Sequence, residues 1–133
     1  MTYLDLTKRA VAAVCENPSA SFGLEDYQTR ASFLLATFIG EYKVLDGCYR
    51  EALGMEAKEI MTDMASVDLE DDFPLCDVFI PAAIHCLAAG LVIDENEEMS
   101  DKFFDRYINN ILAIRQSLPS STGSIVDRYD LTE

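Results

Sequence analysis

The chain has 133 residues with 10 Lys or Arg against 24 Asp or Glu, which gives a formal net charge of −14. Binding to nucleic acid or to an anionic membrane depends on cationic side chains, and here they are scattered without a basic stripe. Half of the residues are hydrophobic, which excludes a disordered acidic tail. We therefore expect one folded domain that binds neither nucleic acid nor an anionic membrane. Its negative charge is expected to keep the protein soluble or to bind a basic partner.

The first predicted helix begins at a capping box. Thr2 and Asp5 have the spacing at which a hydroxyl and a carboxylate each accept a hydrogen bond from an otherwise unpaired backbone N–H. Apolar residues then recur at helical spacing until Asn17-Pro18, where we expect the helix to end.

A second, long helix is predicted from Glu25 to a stop at Gly54. Its apolar stripe is wide enough to favour a central position, and it comprises Tyr27, Ala31, Leu34, Leu35, Phe38, Ile39, Tyr42, Leu45, Tyr49 and Leu53. Gly40 and Gly47 lie inside this helix. Each costs a helix about 1 kcal/mol relative to Ala, so they indicate either a bend or a close helix crossing.

The segment from Met55 to Asp72 fits neither a helical nor a strand period, and a short helical turn and an extended stretch both stay open for residues 61–67. An acidic run then leads into Phe73-Pro74, which predicts a loop. A third helix follows with Pro81 in its first turn, where a missing N–H costs little. It is apolar almost all round, which predicts a buried helix.

A fourth helix is predicted to run to about Leu118, before Pro119. Its predicted packed side comprises Met99, Phe103, Phe104, Tyr107, Ile108, Ile111, Leu112 and Ile114. Together these elements predict an all-α fold, a four- to five-helix bundle with a long central helix and an irregular acidic middle segment. Residues 1–118 form the predicted domain, and residues 119–133 form a flexible tail with a linker composition at its start. The tail carries a predicted interaction patch made of Ile125, Val126, Arg128 and Tyr129.

No catalytic, cofactor-binding or metal-binding site is predicted. The four cysteines form no Cys-x-x-Cys pair, and His85 is the only histidine, so zinc is not favoured. Adjacent His85 and Cys86 diverge on a helix, although Cys15 or Cys48 could still meet His85 in space. Two acidic clusters lack the alternation of a calcium loop and are predicted to be solvated helix caps and acidic surface. They comprise Asp68, Glu70, Asp71, Asp72, Asp94, Glu95, Glu97 and Glu98.

One enzyme alternative is an all-helical, magnesium-dependent nucleotide pyrophosphohydrolase. Such enzymes hold magnesium with a Glu-x-x-Glu pair and a later Glu-x-x-Asp. Glu56 with Glu59, and Glu98 with Asp101, have this local form, and a three-residue spacing places both carboxylates on one helix face.

Residues 69–107 carry a family resemblance. The acidic loop is followed by Ile80-Pro81, an Ala-rich buried helix, a second acidic turn and a helix that carries Arg106-Tyr107. This order resembles the helical head–tail connector (neck, head-completion) proteins of tailed phages and prophages. The resemblance covers about residues 69–118, and the first six residues are also similar to the start of such proteins.

The resemblance implies a structural role in a ring between portal and tail, around a channel through which DNA passes. An acidic channel would repel phosphates, and a ring needs heterologous contacts between subunits. The expected partners are copies of the same chain or other virion proteins, and the expected location is the cytoplasm or the virion. The competing interpretation is an acidic helical module that regulates a basic protein.

Overall fold

The computed structural model describes residues 1–14, 24–60 and 65–118. The all-α prediction is confirmed: the described residues form four helices and no strand, apart from one isolated bridge between Thr2 and Asp72. The helices are α1 (Tyr3–Val14), α2 (Leu24–Ala52), α3 (Ile80–Val92) and α4 (Glu97–Ser117), with a short 3₁₀ turn at Asp77–Phe79 directly before α3. The predicted end of the first helix at Asn17-Pro18, residues 61–64 and the tail lie outside the described residues.

The capping box at the start of α1 is confirmed. The Thr2 N–H donates to Asp5 Oδ2 at 3.0 Å, and the Asp5 N–H donates to Thr2 Oγ1 at 3.1 Å. The hydrogen bond that the Asp5 carboxylate accepts from the Thr2 N–H lowers the pKa of this carboxyl below its ordinary value. Helix α1 therefore begins at Tyr3, and it buries Leu6, Ala10 and Val11.

The long helix α2 ends as the sequence predicts. Gly54 has φ +71°, the left-handed conformation that glycine adopts without strain. Its N–H donates to the Glu51 carbonyl, and the Met55 N–H reaches back to the Arg50 carbonyl, which is the Schellman arrangement. Neither Gly40 nor Gly47 marks a crossing within the described chain, because no atom of another element lies within 4 Å of where a Cβ would stand at either position.

Helix α3 makes the most extensive contacts in the bundle. It packs against α1, α2 and α4 and buries seven of its 13 residues, as its apolar composition predicts. Pro81 lies in its first turn, also as predicted. A Cβ at Gly90 would lie only 2.8 Å from Leu34 Cδ1, so glycine permits the close approach of α2 at this point.

Asn96 is the N-cap of helix α4, and its side chain accepts the Met99 N–H at 3.0 Å. It packs antiparallel to α3 because only a short acidic turn joins the two helices. One part of its predicted packed side is wrong. Phe103, Tyr107, Ile111 and Ile114 are buried, but Phe104, Ile108 and Leu112 are exposed. The apolar arc of α4 is wider than the surface that α3 and α2 cover.

The irregular segment of residues 65–76 runs alongside α2. Near its beginning, the Val67 N–H donates to Ser32 Oγ, and the Ser32 hydroxyl donates to the Val67 carbonyl. Near its end, Arg50 donates to the Pro74 carbonyl at 3.1 Å. Between these points the segment reaches the start of α1. The carbonyls of Asp71 and Leu69 accept the N–H groups of Tyr3 and Leu4 at 3.0 and 2.7 Å.

We expect Thr2→Ala to lower the free energy of unfolding by about 1 kcal/mol, because it removes the hydroxyl that accepts the Asp5 N–H. Thr2→Ser keeps that acceptor and should retain most of the stability. Urea unfolding followed by circular dichroism measures both variants. Equal losses in the two would show that the hydroxyl does not cap α1.

Candidate functional site

The described residues contain one buried ion pair. Asp46 on α2 is 1% exposed, and its Oδ2 accepts a hydrogen bond from Arg50 Nε at 2.8 Å. Its other oxygen, Oδ1, accepts the Cys76 N–H at 2.8 Å. The hydrogen bond with Asp46 raises the pKa of the Arg50 guanidinium. Both carboxylate oxygens are therefore engaged within the protein, and the arrangement anchors the 65–76 segment to α2.

A buried pair of tyrosines joins α2 to α4. The hydroxyls of Tyr42 and Tyr107 are hydrogen-bonded to each other, and Phe38 packs against both rings. Burial is the main cause that raises the pKa of both hydroxyls. Since raised pKa values keep the phenols protonated, this pair is a structural contact between the helices and a poor source of a general base.

The thiol and imidazole groups do not form a nucleophile pair in the described residues. His85 Nδ1 lies 2.6 Å from Asn110 Oδ1, and its ring stacks on Phe103. Burial raises the pKa of the Cys86 thiol to about 12 and that of Cys76 to about 11. A nucleophilic cysteine needs its thiolate, and these environments disfavour it. Cys15 lies outside the described residues.

The acidic cluster of residues 68–72 lies at the surface. Its acidic side chains are exposed, and Asp68 Oδ1 accepts the Glu70 N–H at 3.0 Å. The sequence placed this cluster at a loop before the next helix in the chain. The structure instead places it at the N-terminus of α1, which its backbone carbonyls cap.

The second cluster, residues 94–98, forms the turn into α4. Glu97 and Glu98 lie in the first turn of that helix, where a negative charge is favoured. Asp94 lies 3.9 Å from Arg30, and Glu95 accepts the Tyr27 hydroxyl at 2.8 Å. All four acidic side chains are exposed, and the residue that caps α4 is Asn96. Within the described ranges, no group of three His, Cys, Asp or Glu side chains converges as a set of metal ligands.

The geometry does not favour the pyrophosphohydrolase alternative. Glu98 and Asp101 share helix α4, but Glu56 and Glu59 lie in an exposed stretch with no helical structure. The three-residue spacing of that first pair therefore does not place its carboxylates on one helix face.

An open cleft of about 380 Å³ lies at the end of α2. Arg50 and Lys58 are its cations, and Leu53 and Met55 are exposed apolar side chains on its wall. Arg50 is already bonded to Asp46 and to the Pro74 carbonyl. The cleft consequently offers an exposed amine beside apolar surface, and no converging set of reactive groups.

A row of exposed apolar side chains lies on α4. Phe104, Ile108 and Leu112 are 51%, 44% and 49% exposed, and they follow one another at intervals of four residues. Residues at this spacing lie on one face of a helix, so they form a continuous ridge, the α4 stripe. Arg115, also exposed, lies on the same face beyond Leu112.

A second exposed face runs along α2. Phe33 and Val44 are 52% and 69% exposed. They belong to a row of exposed residues at alternating intervals of four and three, the α2 stripe, which comprises Phe33, Thr37, Gly40, Val44, Gly47 and Glu51. This spacing is that of a heptad seam between helices. The two glycines leave open space along the row.

Sequence reasoning found some of these features and missed others. The predicted interaction residues Ile125, Val126, Arg128 and Tyr129 lie outside the described residues. The Asp46–Arg50 pair was missed, although its four-residue spacing on a helix is a recognisable signal. The α4 stripe was assigned to the core, and the α2 stripe was not recognised as a separate face.

Comparisons of the chain with protein-family models, with curated proteins and with solved structures found no match. Among the helices that the structure describes, none has both the length and the apolar character required to cross a membrane.

We expect Asp46→Ala to lower the free energy of unfolding by about 3 kcal/mol, because removing one partner leaves a largely buried cation unpaired. Asp46→Asn keeps an acceptor for the Cys76 N–H and should lose less. Glu56→Gln removes an exposed carboxylate and serves as the control, with a change within about 0.5 kcal/mol. Urea unfolding measures all three variants. A loss in Asp46→Ala no larger than in the control would contradict the anchoring role.

We expect iodoacetamide at mildly alkaline pH to modify Cys76 and Cys86 only when the chain unfolds, because their raised pKa values suppress the thiolate. Peptide mapping by mass spectrometry, with and without urea, reads each site separately. The native state also keeps thiol protons that the unfolded chain releases above pH 9, the ordinary pKa. Stability should therefore fall as the pH rises beyond that value. Rapid native labelling of Cys86 would contradict this.

Proposed function

We propose that this chain is a non-enzymatic assembly protein that associates with copies of itself into a ring at the head–tail junction of a tailed phage or prophage. The observation that carries the proposal is the α4 stripe. Its three large apolar side chains are about half exposed in a protein whose net charge is −14. Contiguous exposed apolar surface marks interaction sites, and burying it against another subunit supplies the driving force for assembly.

The arrangement of exposed faces supports a cyclic assembly. A ring requires each subunit to present two different surfaces that fit each other. The α2 stripe and the α4 stripe are two such surfaces on different helices. In this proposal the long α2 is a contact helix, and the irregular acidic segment borders the contact near Phe33.

The acidic clusters suit a channel for DNA. Their carboxylates are exposed at residues 68–72 and 94–98, and phosphates are repelled by negative surface charge. DNA would slide through such a channel without being held. The segment that resembles connector proteins, residues 69–107, folds as consecutive units: the acidic loop, α3, the acidic turn and the first half of α4. We place the protein in the cytoplasm of the host before it joins the virion.

Native mass spectrometry and negative-stain electron microscopy of the purified chain test the proposal. We expect closed rings at high concentration. Ile108→Glu should reduce them to monomers, because it places a charge in the centre of the α4 stripe. Ala113→Glu, at an exposed position off the stripe, is the matched control. A chain that stays monomeric at every concentration, and whose gene lies away from portal and capsid genes, would overturn the proposal.

The alternative function is an acidic module that regulates a basic protein. The exposed carboxylates of residues 68–72 favour it, because α1 is capped by the backbone of this loop and not by those side chains. A monomer that binds a purified basic protein with strongly salt-dependent affinity would support this function over ring assembly.

A further inference from the structure

We propose that the α4 stripe of one copy packs in parallel orientation on the α2 stripe of the next copy, around a symmetry axis parallel to both helices. The inference rests on the proposed self-assembly and names its contact. It starts from two exposed faces in the described chain, the apolar row Phe104-Ile108-Leu112 on α4 and the mixed row from Phe33 to Glu51 on α2.

The shapes of the two stripes fit in one register. With a constant difference of 64 in residue number, Phe104 lies opposite Gly40, Ile108 opposite Val44, and Leu112 beside Gly47. Large side chains thus meet the positions where α2 has no Cβ and where no atom of the described chain lies within 4 Å. Each glycine lowers the helix propensity of α2 relative to Ala. A neighbouring helix that approaches closely gives both glycines a packing role that the described chain alone does not.

Charge selects the parallel orientation. In the same register Arg115 lies opposite Glu51, and both side chains are exposed at the edge of the contact. If α4 were reversed while Ile108 stayed opposite Val44, Asp101 would face Glu51 instead. Opposite charges across two helices favour association and like charges oppose it. Glu51 therefore meets an opposite charge in the parallel contact and a like charge in the reversed contact.

The relative positions of α2 and α4 within one subunit can be compared with this register. Within one chain α2 and α4 run in the same direction: Tyr27 near the start of α2 bonds Glu95 just before α4, and Tyr42 bonds Tyr107 in the middle. The two bonded pairs differ by 68 and 65 in residue number, so residues at similar heights in α2 and α4 differ by about 65 to 68.

This height match determines whether copies can close around an axis. Rotation about an axis parallel to the helices leaves every residue at its height, so residues that meet across the contact must already lie level within one subunit. The proposed difference of 64 departs from the observed differences of 65 and 68 by one to four residues, about 1.5 to 6 Å along a helix. A closed ring requires this offset to be zero, whereas an offset that remains produces an open filament, and electron microscopy of the assembly distinguishes the two.

A charge exchange tests the pairing. Arg115→Glu and Glu51→Arg each set like charges against each other, and each should weaken association on the order of tenfold at low ionic strength. The double variant Glu51→Arg/Arg115→Glu restores opposite charges and should recover association. Lys102→Glu and Glu56→Arg make the same changes of charge at exposed positions off the stripes and should leave association unchanged. Sedimentation velocity and native mass spectrometry measure association and the number of copies.

A steric variant tests the glycine positions without unfolding the subunit. Gly40→Leu adds a side chain where nothing lies nearby and improves helix propensity, so the melting temperature of the subunit should rise while association is lost. Ala113→Leu adds bulk at an exposed position of α4 off the stripe and should assemble as the unaltered chain does.

The outcomes separate this contact from self-assembly itself. Unaltered association in Arg115→Glu, or in Gly40→Leu, would overturn the contact. If Ile108→Glu alone abolished association, α4 would pack on a different surface, such as another α4 in reversed orientation, and self-assembly would stand without this contact. A monomeric unaltered chain would overturn both. A two-copy assembly that passes the charge exchange would support the contact and overturn the ring.

Discussion

The bundle depends on the carboxylate of Asp46. It is buried in α2, and its two oxygens bind a guanidinium four residues along the helix and the N–H of Cys76. Because Arg50 also holds the Pro74 carbonyl, the irregular 65–76 segment is tied to α2 at its end. Phe73, inside that segment, packs against Tyr3 of α1 and Phe38 of α2. One satisfied buried charge thereby connects the order of an irregular segment to the docking of two helices.

Features set by neighbouring residues could be predicted from the sequence, and features set by distant contacts could not. The capping box at Thr2, the stop at Gly54 and the entry of Pro81 into α3 all depend on a few consecutive residues. The acidic loop differs. Charges before a helix usually serve that helix, but this loop returns to α1, more than 60 residues earlier in the chain. No local pattern contains that contact.

The α4 stripe could not be recognised from the sequence because its residues are apolar. Apolar residues at helical spacing predict a buried face, and all eight such positions of α4 were assigned to the core. The pattern cannot tell how much of a wide apolar arc one layer of neighbours covers. Helix α3 and the rings of Phe38 and Tyr42 cover Phe103 and Tyr107, and the stripe from Phe104 to Leu112 lies beyond them. The excess width of the arc is the signal that a second surface exists.

The net charge of −14 and the proposed self-association are compatible because they act over different distances. Repulsion between exposed charges is screened beyond about 8 Å at physiological ionic strength, whereas burial of apolar surface acts at contact and is not screened. The acidic clusters lie on the loop beside α2 and on the turn before α4, away from the centre of the α4 stripe. Near the end of that stripe the exposed side chain is a cation, Arg115. The acidic surface therefore limits where copies can meet, and it leaves the centre of the α4 stripe available.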